Sequence, residues 1–162
     1  MTRVGMGFDV HPFASEADRP LVLGGVTLHG ERGLVGHSDA DVIAHAVADA
    51  LLGAAGLGDL GHHFPDSDPK WRGADSTALL AQVVVLLAGD GWVVSNVDCS
   101  VVLEAPRLAP HTDAMQQRLG AIVGAPVSVK AKRAEGLGSL GRGEGIACWA
   151  VALIEKSPPR QA

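Results

Sequence analysis

Gly145-Ile146-Ala147-Cys148-Trp149-Ala150-Val151-Ala152-Leu153-Ile154, near the end of the chain, reads as a strand without a polar face. Side chains alternate along a strand, so Ile146, Cys148 and Ile154 leave one side and Ala147, Trp149, Val151 and Leu153 the other. A chain of 162 residues is one ordinary domain, and helices on one side of its sheet would cover only one of these faces. The second apolar face is therefore expected to pack against other subunits.

Working outward, Val127 to Ala131 reads as a neighbouring strand. Val93 to Glu104 sets Val97, Cys99, Val101 and Leu103 against Asn96, Asp98 and Ser100, a strand with one wet face. Val4 to Phe13 opens the chain as a strand, and Leu21 to Leu23 is a short one ending in Gly24-Gly25. Between them lie helical periods: Ile43, Ala46, Val47, Ala50, Leu51 and Ala54, ending near Gly56, and Leu79, Leu80, Val83, Val84 and Leu87 behind a cap at Asp75-Ser76. A third helix, from Pro110, carries Met115, Leu119, Ile122 and Val123. No linker or repeat interrupts residues 1–156, which are expected to form a single catalytic domain, while 157–162, with Pro158-Pro159, reads as a frayed tail.

Composition narrows the function. Charged residues make up 19%, aromatic residues 4%, and there are 21 glycines, so the core must be built from Ala, Val and Leu. A net charge of -5 offers no basic surface for nucleic acid or an anionic membrane. The apolar run around Val83 to Ala88 is far shorter than the roughly 20 residues of a membrane span. With strand pattern beginning at Val4, no leader is expected, and the expected location is cytoplasmic. Cys99 and Cys148 fall in apolar alternating stretches and read as buried free thiols.

Asp9 and His11, two apart on the first strand, leave the same face and can share one ion. His45, with Asp41 and Asp49 on the polar side of the first helix, offers a third ligand. Two imidazoles and a carboxylate leave one open position on a tetrahedral Zn2+, the pattern of a catalytic site, although Asp-x-His alone also suits a solvated strand end. Just ahead of the helix, Ser38 and Asp41 have capping-box spacing, and the same helix N-terminus could hold phosphate with help from His37. Gly136-Leu137-Gly138-Ser139-Leu140-Gly141 matches a dinucleotide fingerprint only formally, because a strand follows where a helix should open. The preceding Lys130, Lys132 and Arg133 suit a solvated face, or, with Glu135 on a hard ion such as Mg2+, a phosphate site.

Taken together, Gly5-x-Gly7-Phe8-Asp9-Val10-His11-x-Phe13, Gly36-His37-Ser38-Asp39-Ala40-Asp41-Val42-x-x-His45, Gly56-Leu57-Gly58-Asp59-x-Gly61, Phe64-Pro65-Asp66-x-Asp68-Pro69 and Gly141-Arg142-Gly143-Glu144-Gly145 closely resemble the 2-C-methyl-D-erythritol 2,4-cyclodiphosphate synthases, in order over nearly the whole chain. The resemblance implies an α+β, ferredoxin-like subunit with a four-stranded mixed sheet and helices on one face. It also implies a homotrimer with active sites between subunits, in a bacterial, cytoplasmic enzyme of the non-mevalonate isoprenoid precursor pathway. By resemblance, Asp9, His11 and His45 bind Zn2+ or another divalent transition metal, and Glu135 binds Mg2+ or Mn2+. His37 and Ser38 contact phosphate, with His37 and Arg133 in the catalytic positions. Asp59 and Gly61 hold the methylerythritol hydroxyls, Phe64, Asp66 and Asp68 shape the substrate loop, and Pro106 and Arg107 belong to the cytidine pocket. Lys132, Ser139 and Arg142 complete the implied substrate-binding set.

The chain departs from the family in two places. Lys132 and Arg133 stand where adjacent Thr residues are usual, and as full charges beside Glu135 they are expected to lessen the need for Mg2+. Ser139 stands where Phe is frequent, near the trimer's central cavity. The implied substrate is 4-diphosphocytidyl-2-C-methyl-D-erythritol 2-phosphate, cyclised with loss of CMP. The same metal ligands would also serve a zinc-dependent nucleotide or phosphate-ester hydrolase, and Arg142 with Glu144 would suit a trimeric isoprenoid-phosphate-binding module.

Overall fold

The structure, a computed structural model, describes residues 1–15 and 19–156; the tail read at 157–162 lies outside the described residues. The elements run β1 (Thr2–Pro12), β2 (Leu21–Leu23), β3 (Val26–Leu28), α1 (Val42–Ala55), α2 (Leu60–His63), a 3-10 turn (Pro69–Trp71), α3 (Ser76–Gly89), β4 (Trp92–Val102), α4 (Thr112–Val123), β5 (Val127–Lys132), α5 (Gly138–Gly141) and β6 (Gly145–Lys156). Four strands form one sheet in the order β1-β6-β4-β5, antiparallel except for the parallel pair β4 and β5. The doubly apolar β6 is thus a central strand. The sheet is mixed, and the fold is α+β.

β2 and β3 form a separate two-stranded hairpin. Sequence reading found its first arm and its Gly24-Gly25 turn, but β3 is three residues long, too short to display a period. Both turn glycines have positive φ, 58° and 72°, which side chains rarely adopt.

Helix α1 lies directly on β1. A Cβ on Gly7 would stand 1.9 Å from the Ala46 carbonyl oxygen, and one on Gly5 would stand 2.1 Å from that of Ala50. Glycine on the strand and alanine on the helix let the two backbones touch, and this contact carries a residue of α1 to the ligands on β1. The helix is buried along nearly its whole length, with Ile43, Val47, Leu51 and Leu52 in the core.

Asp41 differs from the sequence reading, which placed it on the polar side of α1. It is fully buried and is itself the N-cap, accepting from the N–H groups of Ile43 and Ala44 and, across the fold, of Gly24 at 2.8 Å and Gly25 at 2.6 Å. The capping box headed by Ser38 therefore does not form. Ala40 has φ 60°, a left-handed step that turns the chain so that the cap falls on Asp41. The carboxylate joins helix to hairpin, and burial pushes its pKa up against the pull of those N–H groups.

The sheet face away from α1 exposes Val4, Met6, Phe8 and Val10 of β1 beside Trp149 and Val151 of β6. Phe8 and Trp149 sit opposite each other with ring centroids 4.9 Å apart. Cys99 and Cys148 are free and buried, as read.

Candidate metal centre and substrate cavity

Asp9 and His11 leave β1 on the side that carries Gly5 and Gly7, towards α1, where His45 meets them. Asp9 Oδ2 stands 2.9 Å from His11 Nε2 and 2.9 Å from His45 Nδ1, and the two ring nitrogens are 3.2 Å apart. Among the described residues these three form a cluster able to hold a metal ion. Donors 2.0–2.1 Å from a tetrahedral zinc stand about 3.3 Å from one another, so the triangle fits such an ion.

The outer ring atoms agree with this. His11 Nδ1 lies 2.7 Å from the Val35 carbonyl, which only accepts, so Nδ1 carries the proton and Nε2 presents a lone pair to the cluster. His45 Nε2 lies 2.8 Å from Ser76 Oγ and 3.1 Å from Ser38 Oγ. Burial raises the pKa of Asp9, but the pull of the adjacent His11 and His45 rings outweighs it and holds the group far below the usual carboxylate range. The carboxylate is therefore ionised and able to ligate.

The cluster opens into a cavity of about 570 Å³, lined also by His37, Ser38, Gly61, Phe64 and Asp66 from the sequence-derived set. Asp59 and Asp68 do not line it. Asp59 caps α2 by accepting from His62 N–H, and Asp68 caps the 3-10 turn and pairs with Lys70 at 2.9 Å. Asp49 and Trp71 also line the cavity and were not among the site residues read from the sequence. Asp49, one helical turn beyond His45, accepts the Leu60 N–H at 2.7 Å, and burial raises its pKa. The spacing from His45 was the available signal. Trp71, packed edge-on against Phe64 at 5.0 Å, carried none, being one aromatic residue in a polar loop.

A second cavity, of about 450 Å³, gathers Pro106, Arg107, Lys132 and Arg133 with Leu103, Glu104 and Leu108. Here Arg133 is not a free cation. Its guanidinium donates twice to Glu104 Oε2, at 3.0 and 2.8 Å, and Glu104 Oε1 also takes the Ala134 N–H. The Arg133 hydrogen bonds hold Glu104 below its ordinary pKa. Glu135 follows with φ 53° and lines neither cavity; Ser139 lies in α5, and Arg142 pairs with Glu144 at 2.6 Å on the surface.

The YgbB family model matches residues 2–155. The chain belongs to the YgbB family. Curated relatives named 2-C-methyl-D-erythritol 2,4-cyclodiphosphate synthase include those of Thermosynechococcus vestitus, 53% identical over 94% of this chain and 96% of the relative, and Burkholderia thailandensis, 54% identical over 94% of both chains. Among solved structures, the CDP complex of Plasmodium falciparum IspF covers 97% of both chains with TM-score 0.84 and 28% identity. The bifunctional IspDF of Campylobacter jejuni matches with TM-score 0.92 and 39% identity over 97% of this chain, which spans only 43% of that longer one.

For a YgbB-family member, the distribution of site residues within one chain is informative. Strand register places Asp9, Cys148, Val101 and Ala131 in one row across β1, β6, β4 and β5. Three strand spacings put the triad edge and the Lys132 edge about 14 Å apart. No helix among the described residues is long and apolar enough to cross a membrane.

Proposed function

We infer that this YgbB-family chain converts 4-diphosphocytidyl-2-C-methyl-D-erythritol 2-phosphate to 2-C-methyl-D-erythritol 2,4-cyclodiphosphate and CMP, in the non-mevalonate route to isoprenoid precursors. The observation that carries the reading is the Asp9, His11 and His45 cluster opening into a cavity beside His37 and Ser38. The synthase relatives, more than half identical over nearly the full chain, support it.

An oxygen of the 2-phosphate forms a bond to the β-phosphorus, and the bond from that phosphorus to the CMP oxygen breaks. No protein nucleophile is needed, so the chain's part is positioning and charge neutralisation. Divalent ions, Zn2+ or a similar transition metal at Asp9, His11 and His45 and Mg2+ or Mn2+ at Glu135, would supply Lewis acidity and neutralise the diphosphate. His37 and Ser38 donate to phosphate oxygens. Gly61, Phe64 and Asp66 seat the methylerythritol part, with Asp59 and Asp68 capping the turns on either side of them, and the cavity at Pro106 and Arg107 takes the cytidine, consistent with CDP in the complex of the Plasmodium relative.

Glu135 follows β5, across the sheet from the triad on β1, so one diphosphate meets both when neighbouring copies supply the two halves. A homotrimer buried on the Phe8 and Trp149 face would bring them together, with Ser139 and Arg142 beside its axis. Phosphorus NMR of the reaction tests the function: one CMP and one cyclic diphosphate per substrate, with no orthophosphate, is expected. Ring-free products carrying an added water would replace cyclisation with hydrolysis.

A further inference from the structure

Ser76 is 1% exposed, and its hydroxyl does more than start a helix. The cap of α3 is already supplied by Asp75, which accepts the Thr77 N–H at 2.8 Å. The Ser76 side chain is thus free of the capping task, yet it is buried, and a buried hydroxyl is costly unless its hydrogen bonds are made. It makes them in one line. Its O–H donates to Asp39 Oδ1, and its oxygen lies 2.8 Å from His45 Nε2.

Asp39 is held to receive that proton. Its Oδ2 accepts the Ser76 N–H at 3.1 Å, its Oδ1 accepts the Asp41 N–H at 3.2 Å, and its own N–H donates to the Ala74 carbonyl at 3.0 Å. With the Ser76 proton committed to a carboxylate, the Ser76 oxygen can only accept from His45. Nε2 must then be the protonated nitrogen, which leaves Nδ1 as the lone pair facing Asp9 and His11.

Ser38 competes for the same ring, but its oxygen is farther from Nε2, at 3.1 Å, and already accepts the Ala40 N–H at 3.2 Å. Since Nε2–H is a donor, the Ser38 hydroxyl proton is not needed by the ring; it can rest on the Ser76 oxygen, 3.2 Å away, or turn to a substrate oxygen in the cavity that Ser38 lines.

We propose that Ser76, anchored by Asp39, is a positioning residue that fixes the tautomer and tilt of His45 for the metal, while the adjacent Ser38 keeps its proton for the substrate. This rests on the assignment of Asp9, His11 and His45 as metal ligands and goes beyond it by separating the roles of two serines that both touch the same imidazole.

Zinc affinity, measured by competition with a chelator, reads the proposal apart from turnover. Losing an outer-sphere partner of this kind weakens metal binding by roughly 10- to 100-fold, and that loss is expected for Ser76→Ala, with recovery in Ser76→Thr and near wild-type affinity in Ser38→Ala. NMR of the zinc-loaded wild-type protein supplies a reading that depends on no variant folding. A slowly exchanging His45 Nε2–H is expected, with its strongest side-chain contact to the Ser76 β-protons.

Wild-type affinity in Ser76→Ala, an equal loss in Ser38→Ala, or an Nε2–H nearest Ser38 would overturn the assignment. Failure of the cyclisation itself would leave these readings intact, because they report only on the ion and the ring. Loss of zinc binding in the wild-type protein would instead remove the metal assignment on which the proposal rests.

Discussion

At the residue scale, the triad concentrates three lone pairs on one point, an arrangement that hydrogen bonds alone satisfy only by protonating a ring. His45→Ala removes one of the three and leaves Asp9 and His11 to hold the ion alone. Because a metal's stabilisation of phosphoryl charge amounts to several kcal/mol, turnover should fall by about 10³-fold or more, and metal analysis of the purified variant should show depleted zinc. Arg133 leads to the opposite kind of expectation. Read from sequence, it was a spare cation beside Glu135; in the fold Glu104 answers its charge, so Arg133→Thr should leave the Mg2+ requirement of the reaction unchanged in a metal titration.

Asp75 gives a pH dependence. Burial raises its carboxyl, but the Thr77 hydroxyl and N–H prevail and hold it below its ordinary value of 3.8. A carboxylate depressed in the folded state adds stability that is complete above 3.8 and is lost as pH falls through the folded value. Asp75→Asn should therefore melt below the wild type at neutral pH, with the gap closing in thermal scans as pH falls below 3.8 through the folded value and both side chains become neutral.

At the scale of elements, the site depends on how closely α1 approaches β1. Gly7→Val would drive side-chain carbon into the Ala46 carbonyl, which cannot move without displacing the helix that bears His45. Overpacking of this kind costs on the order of 3 kcal/mol or more, and the expected result is a lowered melting temperature together with weakened zinc binding. The same contact explains what could be read from the chain. Helices α1 and α3 showed in the apolar period, β4 in its alternation, β6 in its unbroken apolar run, and Asp9 with His11 in their spacing of two. Asp41 could not be placed, because its burial depends on the hairpin folding back to offer the Gly24 and Gly25 N–H groups, a contact between segments that no local pattern encodes. For the same reason the Glu104 partner of Arg133 was invisible, lying 29 positions away in the chain.

At the scale of the whole molecule, the doubly apolar β6 was legible as a strand needing partners on both faces, and the structure leaves Trp149 and Val151 on one of those faces 39% and 45% exposed, beside the exposed Val4 and Met6 of β1. Trp149→Glu places a charge at the centre of that face. Sedimentation of the wild type should give three times the chain mass and of the variant a single chain, with cyclisation lost although each chain keeps its own triad. The division of the implied site between β1 and the end of β5, about 14 Å apart, makes this loss a consequence of assembly rather than of folding.

The claim on which all three scales depend is that an ion sits between β1 and α1, within reach of the substrate. Anomalous diffraction at the zinc absorption edge, from crystals grown with zinc and CDP, tests it most directly. The account predicts a peak about 2.0–2.2 Å from Asp9 Oδ2, His11 Nε2 and His45 Nδ1, with a phosphate oxygen as the fourth ligand. A zinc-loaded, active protein whose peak lies elsewhere, with those three atoms turned from one another, would contradict it.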